Sequence, residues 1–554
     1  MKDIDSKAIQ LDVKPMVKFY MDQLCLQELF EKYMPKTPKM NLAPTDVLSL
    51  MVFNIINSPS PFYKVSDWAT DYLDGIGELP DEAAKYNDDC LGRNIDRLYE
   101  CDRNALMPDL TANAIIAHQL KTDIIHNDST TITFKGRYEN QAPDGIRLLH
   151  GHNKDFRPDC LQLVYGLNIT EDGNVPLSFQ LFSGCQTDDG THIPNWDHLR
   201  QVLGKKNFIY VADCKLCSQD NLDHIHGNGG SFITIVPKNR TMLKPFKEQL
   251  QNGVVQWQPA YSVPDNRKSS EQNCFYTFET GLTDKGYRLI WILSTAKAWQ
   301  DQKTRERRLA KAEAGLAELA GKLNRYNLKS LNHIEAAIDK ALKNVKGQIH
   351  IDLTEHQIHY KKKIGGGRPG PNSVYENHTK ITYELDWQRN QAAIDQQALA
   401  DGTFPLITNT DKKCAEALRI YKQQAGLEKR FNTTKSVLEI APVFLKKSSR
   451  IEAIIFLYFV ALMVISLMER AVRKQMAEES VETLPILPWQ MKTARPAWNN
   501  LRYMFRNVHL SLIFIKDRLV WQTLKGLRDI HILVLRLLGV PTSVYLNLAN
   551  EQVV

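Results

Sequence analysis

The chain has 554 residues, 43% of them hydrophobic and 24% charged, with 70 Lys and Arg against 63 Asp and Glu for a formal net charge of +7. This balance excludes a disordered chain and a disulfide-stapled mini-protein, and the length is that of three or four domains, each able to bury a core. Nine cysteines and the charged start Met1-Lys2-Asp3-Ile4-Asp5 indicate a reducing, cytoplasmic setting without disulfides.

Residues 1–120 read as helical, with apolar periodicity over Thr45–Asn57 and Leu91–Leu106, and carry 12 basic against 19 acidic residues, a net of −7. From Asp123 the texture changes to short β-rich runs. Thr122–His126, Leu161–Thr170 and Leu177–Ser183 predict an antiparallel meander, the last two joined by the turn Glu171-Asp172-Gly173-Asn174. A helix over Ile193–Leu203, a strand Phe208–Ala212, a short helix near Ser218–His226 and a strand Phe232–Val236 follow. The order βββαβαβ predicts a mixed sheet flanked by helices, because short αβ crossovers demand parallel neighbours.

Residues from about 240 to 402 interrupt this pattern. They hold a strand at Tyr287–Ser294, a long helical stretch from Ala296 to about Leu342, and the basic loop Lys361-Lys362-Lys363-Ile364-Gly365-Gly366-Gly367-Arg368-Pro369-Gly370. A strand Phe404–Thr408 leads into a helix over about Lys412–Ser436. Ala453–Met468, sixteen residues without a charge, is bracketed by Arg450, Glu452, Glu469 and Arg470. A membrane span needs about 18–20 apolar residues, so this reads as a buried core helix, with no membrane partner. Residues 476–554 read as a helical tail that is basic over Met491–Val540, with 9 basic against 2 acidic residues.

Three carboxylates stand where chemistry would use them. Asp128 follows the first strand in His126-Asn127-Asp128-Ser129-Thr130-Thr131, and Asp213 ends the fourth. Glu428 lies on the helix after the interruption, where Tyr421, Gln424, Glu428 and Lys435 are spaced to share one stripe. Taken singly, each has an ordinary reading as a turn former or a solvated residue. Together they form a set able to hold two hard cations such as Mg²⁺, which take one or two carboxylates each. Two ions about 3.5–4 Å apart serve phosphodiester cleavage or transfer.

These residues and their surroundings resemble the DDE transposases of bacterial insertion sequences, in the branch with a Tyr-Arg-Glu-Lys signature. The resemblance rests on Asp128-Ser-Thr-Thr, the run Gly151-His-Asn-Lys-Asp-Phe-Arg-Pro-Asp159, Val211-Ala-Asp-Cys-Lys-Leu216, and Tyr421, Gln424, Glu428 and Lys435. Gln424 stands where that branch has Arg. Tyr63-Lys-Val-Ser-Asp-Trp68 and Asn87-Asp-Asp-Cys-Leu-Gly-Arg93 extend the resemblance over most of the chain. It implies an α/β fold with an RNase H-like mixed five-stranded sheet and flanking helices, interrupted by a large mixed β/α insertion and flanked by helical N- and C-terminal regions.

The corresponding domains are 1–121 (DNA-end recognition or dimerisation), 122–240 and 403–475 (the two parts of the catalytic core), 241–402 (the insertion) and 476–554 (the basic tail). The resemblance further implies Asp128, Asp213 and Glu428 as the metal-binding catalytic triad for two Mg²⁺ ions, with Mn²⁺ as a substitute. Tyr421 and Lys435 would contact transposon-end phosphates. Gln424 would replace the Arg contact without its charged fork, with Arg430 as a compensating neighbour. Apart from the resemblance, the basic composition of the loop has two readings: a solvated loop, or one in which Lys361, Lys362, Lys363 and Arg368 track the DNA backbone.

The implied activity is hydrolysis at transposon ends followed by attack of the freed 3′-OH on target DNA. The partners are double-stranded DNA and a second copy of the chain in a synaptic homodimer. A catalytically silent DNA-binding descendant and a general RNase H-like nuclease are the alternatives. Cys214 and Cys217 form a CxxC without a second pair of ligands and read as ordinary thiols. The glycine-rich loop lacks the Gly-Lys-Ser/Thr ending of an NTP-binding cradle.

Overall fold

Alternation of β-branched residues and the helical apolar periods account for most elements of the chain, and long-range pairing extends or breaks several of them. The structure, a computed structural model, describes residues 4–74, 80–136, 138, 145–237, 243–265, 268–440, 445, 447–516 and 518–549. In chain order the strands are β1 (Ile4–Gln10), β2 (Ile124–Phe134), β3 (Leu161–Thr170), β4 (Pro176–Ser183), β5 (Ile209–Ala212), β6 (Ser231–Ile235) and β7 (Gln258–Asp265). They continue as β8 (Lys268–Leu282), β9 (Arg288–Ser294), β10 (Ile349–Lys363), β11 (Tyr375–Arg389), β12 (Thr403–Thr408), β13 (His509–Ile515) and β14 (Arg518–Lys525). The chain divides into two compact units: residues 1–235, 408–411 and 419–554 form the first, and residues 236–407 and 412–418 the second.

In the first unit the strands between residues 124 and 235 lie in the order β4-β3-β2-β5-β6. β2–β3 and β3–β4 are antiparallel, and β2–β5 and β5–β6 parallel. The helices His192–Leu203 and Gln219–Gly227 make the two crossovers. β2 is longer than the sequence predicts. Thr130-Thr131-Ile132-Thr133 is β-branched throughout, and the ladder to β3 runs on to Phe134↔Leu161, so Asp128 sits inside the strand rather than after it.

The helix Ser448–Glu478 runs through this unit. It is long and apolar enough to span a membrane, with a mean hydropathy of 2.5 over its most apolar window, but 94% of that window is buried inside the protein. It packs against the helices Pro44–Asn57, Asp88–Glu100 and Asp529–Leu537 and against β4. A helix that is apolar all round needs partners all round, and here the core supplies them. Phe179 of β4 meets Phe459 at 5.0 Å between ring centroids.

Both ends of the chain depart from the helical expectation. β1 pairs antiparallel with β13, which pairs with β14, giving a three-stranded sheet from residues about 500 apart in sequence. The tail is therefore part strand: Leu510 and Leu512 of β13 alternate with less buried neighbours at period two, and β14 pairs along it.

In the second unit β12, β9, β8 and β7 lie side by side in that order. The stretch expected as one long helix is two, Thr295–Lys322 and Leu331–Leu342, separated where Asn324 and Tyr326 take left-handed φ values of 64° and 47°. Their apolar stripes, with Leu309, Leu316, Ile334 and Ile338, cover the base of a long two-stranded ribbon, β10–β11. Lys361–Lys363, expected in a loop, end β10.

Candidate active site

The parallel ladder between β2 and β5 pairs Ile124↔Ile209, Ile125↔Tyr210 and His126↔Val211. Asp128 and Asp213 each lie two residues beyond the last pair. They therefore emerge at the same level and on the same face of neighbouring strands. Burial raises the Asp128 carboxyl to a pKa of about 6; Lys154 opposes the shift, while the charges of Asp213 and Asp188 add to it. Asp213 is also raised, first by burial and then by Asp188, against the Lys215 backbone N–H and the charges of Lys154 and Lys215. Two carboxylates that burial and neighbouring negative charge make reluctant to ionise are relieved by a cation between them, and their oxygens are the donors a hard divalent ion takes. In this respect the pair fits Mg²⁺.

Each aspartate is fixed locally. The Ser129 N–H donates to Asp128 Oδ1 at 2.7 Å, and the Lys215 N–H to Asp213 Oδ1 at 2.9 Å. The Thr234 hydroxyl of β6 donates to the Asp213 carbonyl at 2.6 Å.

Sequence reasoning missed a second layer of residues. Lys154 Nζ donates to the carbonyl and hydroxyl oxygens of Ser129 at 2.8 and 2.9 Å, and lies 3.2 Å from Asp188 and 3.8 Å from Asp128. The Ser129 hydroxyl in turn donates to Asp188 at 2.7 Å. Burial raises Asp188, but the Ser129 hydrogen bond and the Lys154 charge outweigh it and leave the carboxyl below its usual range. The signal for Lys154 lay in the Gly151–Asp159 run. Gly151 packs where a Cβ would come within 2.1 Å of the Gly184 carbonyl oxygen, and the Asn153 side chain accepts from the N–H groups of Asp155 and Arg157, shaping the loop that aims Lys154 inward. Asp188 had no comparable signal, since Thr187-Asp188-Asp189-Gly190 reads as an ordinary turn.

The expected helix over 412–436 is broken. It consists of Cys414–Lys422, Ala425–Asn432 and a wider π-helical turn at Thr433–Val437. Tyr421 lies close to the aspartate pair. Its hydroxyl is raised well above the usual range by burial and then by Asp213, Cys214 and Asp128, so it stays neutral. Gln424 is engaged with β2: its Oε1 lies 3.1 Å from His126 Nδ1 and its Nε2 donates to the Asn127 carbonyl at 2.7 Å. That pairing needs an acceptor and a donor on one side chain. An amide has both, and a guanidinium has no acceptor.

Lys435 is paired with Asp155 at 2.8 Å. Glu428 is exposed. Among the described residues no group of three or more His, Cys, Asp and Glu side chains is placed to hold a metal ion, so the expected Asp128–Asp213–Glu428 set is not assembled here.

Arg430 corrects the expectation of a DNA contact. Its side chain is 0% exposed, bonded to Glu469 at 2.9 Å and to the carbonyls of Gly173 and Asn174 at 2.9 and 2.7 Å. The turn between β3 and β4 thus anchors the helix that bears Glu428. Gly426 on that helix approaches the same turn, where an added Cβ would lie 2.3 Å from Asn174 Oδ1. The nine cysteines are thiols and not disulfides, and burial and then Asp213 raise the Cys214 thiol, in keeping with an ordinary thiol. Lys361, Lys362 and Arg368 are exposed on the second unit, while Lys363 Nζ donates to the carbonyls of Gly367 and Arg368 at 3.0 and 2.9 Å.

No curated protein matches the chain. Among solved structures, the piggyBac transposase synaptic complex with hairpin DNA gives a TM-score of 0.35 at 10% identity, covering 88% of this chain and 80% of that one. The Mos1 transposase paired-end complex with left transposon end gives 0.14 at 8% identity, covering 36% and 60%. A family described as a domain of unknown function, DUF4277, matches residues 6–112. The Transposase DDE domain family matches residues 119–464, a span that takes in Asp128, Asp213 and Glu428. A match over more than half of its length makes this chain a member of the DDE transposase family.

Proposed function

We propose that the protein is an active DNA transposase with an RNase H-like core, cleaving phosphodiesters at its element's ends and joining the freed 3′-OH to target DNA as a synaptic homodimer. The observation that carries the reading is the pair Asp128 and Asp213, set at one level of adjacent parallel strands and both disfavoured as bare anions. Asp128 and Asp213 would hold Mg²⁺, or Mn²⁺ in its place, with Glu428 as the third carboxylate. Two such ions would supply an activated attacking oxygen and stabilisation of the leaving one.

The chain's own groups do the rest. Lys154 balances the negative charge of the aspartates and orients the Ser129 segment. Tyr421, neutral at any working pH, offers a hydroxyl donor to a phosphate oxygen. Lys435, on release from Asp155, offers a cation. Gln424 holds the helix to β2.

The test is strand cleavage of duplexes carrying the element's terminal sequence. Metal assistance is worth several kcal/mol, so Asp128→Asn, Asp213→Asn and Glu428→Gln should each lower the rate by about 100-fold or more. Asp188→Asn should cost less, on the order of tenfold, as expected for a residue outside the ligand set. Unchanged rates in Asp128→Asn or Asp213→Asn would overturn the reading. A larger loss in Asp188→Asn than in Glu428→Gln would reassign the third carboxylate.

A further inference from the structure

The ribbon β10–β11 is two-faced. Its register places Ile349, Ile351, Leu353, Leu385, Trp387 and Tyr383 on one face at the base, packed on the two helices of the second unit. Beyond Tyr383 the same face leaves the helices and becomes exposed. There it carries Gln357, Ile381, His359, Thr379, Lys361, Asn377, Lys363 and Tyr375, and no carboxylate after Glu355. The opposite face carries Asp352, Asp386, Glu384 and Glu376. The distal segment 356–381 has five Lys and Arg against one Glu. An isolated two-stranded ribbon is marginal in water, and this one exposes Ile358 (50%), Ile381 (45%) and Tyr375 (47%) instead of covering them.

Building on the transposase reading, we propose that the distal carboxylate-free face of β10–β11 is a DNA-reading arm that enters the major groove. The major groove of a duplex, about 12 Å wide, admits a two-stranded ribbon. The exposed distal strands, at about 3.3 Å per residue, reach along six or seven base pairs. Amide side chains read base edges by paired donor and acceptor. Gln357 and Asn377 sit on the proposed face, with the His359–Thr379 pair, 3.0 Å apart, between them. Lys361 on the same face and Arg368 at the tip supply phosphate contacts. Glu384, paired with His356 at 3.0 Å, belongs to the opposite face and stays outside the interface.

The experiment uses the full-length protein, without divalent metal, on two duplexes: the sequence flanking its own coding region, and a scrambled duplex of the same composition. Wild-type protein should protect guanine N7 in the major groove of the flanking duplex from methylation, and Gln357→Ala/Asn377→Ala should reduce the preference for that duplex about fivefold or more while leaving binding to the scrambled duplex unchanged. Lys361→Ala/Arg368→Ala should weaken binding to both and reduce the salt slope by about 0.9 per lost contact. Glu384→Gln should change neither.

All substituted side chains are exposed, so unaltered melting is expected and serves as the folding control. Wild-type affinities and slopes in both double variants would overturn the arm while leaving the transposase reading to the cleavage test. So would a change in oligomeric state without a change in DNA binding, which would make the ribbon a contact between copies. Failure of the wild-type protein to bind either duplex would reject both.

Discussion

Arg430 shows how far one side chain's role depends on what surrounds it. In sequence it lies between Lys429 and Phe431 and reads as part of a basic surface. In the fold it is wholly enclosed, with Glu469 at 2.9 Å and Arg473 also 3.1 Å from that carboxylate. Removing one partner of a buried ion pair strands the other charge, which costs about 3–5 kcal/mol. Arg430→Met should therefore lower the urea midpoint by that equivalent, and Arg430→Met/Glu469→Gln by less than the sum of the single variants. DNA affinity of the folded Arg430→Met protein should be unchanged, which separates a structural arginine from a phosphate contact. Gln424 teaches the complementary lesson: its departure from the family's Arg reads as a weakened phosphate grip, whereas its amide is matched to His126 and Asn127.

At the scale of elements, the turn Glu171-Asp172-Gly173-Asn174 is legible as a turn from composition alone. Its second role is not. Gly173 (φ 84°) and Asn174 (φ 56°) present carbonyls to Arg430, and the Asp172 carboxylate receives Arg470 at 2.5 Å. The turn is thus a socket for the helix Ala425–Asn432, and Gly426 packs so closely on it that an added Cβ would meet the Asn174 side chain. Gly426→Ala should destabilise the protein by about 1–3 kcal/mol through overpacking, despite the higher helix propensity of Ala. Asn174→Gly should restore part of the loss by removing the clashing amide while keeping the left-handed turn. Thermal unfolding of the two single variants and the double variant measures this coupling. Equal losses from Gly426→Ala in both backgrounds would show that the contact does not matter.

For the whole molecule, buried neutral histidines set an acid limit. His118 is lowered to about 4 by burial and then by the Arg470 charge, and it stacks on Tyr20 at 5.5 Å. His192 is lowered to about 4 chiefly by burial, with Asp188 opposing, and lies 3.3 Å from the Tyr210 hydroxyl. A group whose folded pKa is depressed binds fewer protons in the native state than in the unfolded chain, so stability is full above about 6.5 and is lost as pH falls toward 4. Each contributes at most about 3 kcal/mol to that loss. Urea unfolding between pH 7 and pH 4 should show the decline, and His118→Gln should flatten it. An equally steep decline in that variant would place the acid sensitivity elsewhere.

The alternation and turn chemistry of the chain by themselves determined the meander, its two crossovers and the place of Asp213 at the end of its strand, because strand period, glycine turns and short αβ connections are local properties. The charge of +7 likewise resolved, from sequence alone, into an acidic N-terminal region and a basic remainder. Tertiary structure alone decided which charges are available to a partner. Burial turned Arg430 inward, and ion pairing engaged Lys435 with Asp155. Loop geometry carried Lys154 into the aspartates, and β10–β11 pairing sorted amides and lysines onto one face of a ribbon. Those outcomes depend on contacts between residues tens to hundreds of positions apart, and no window of sequence contains both partners.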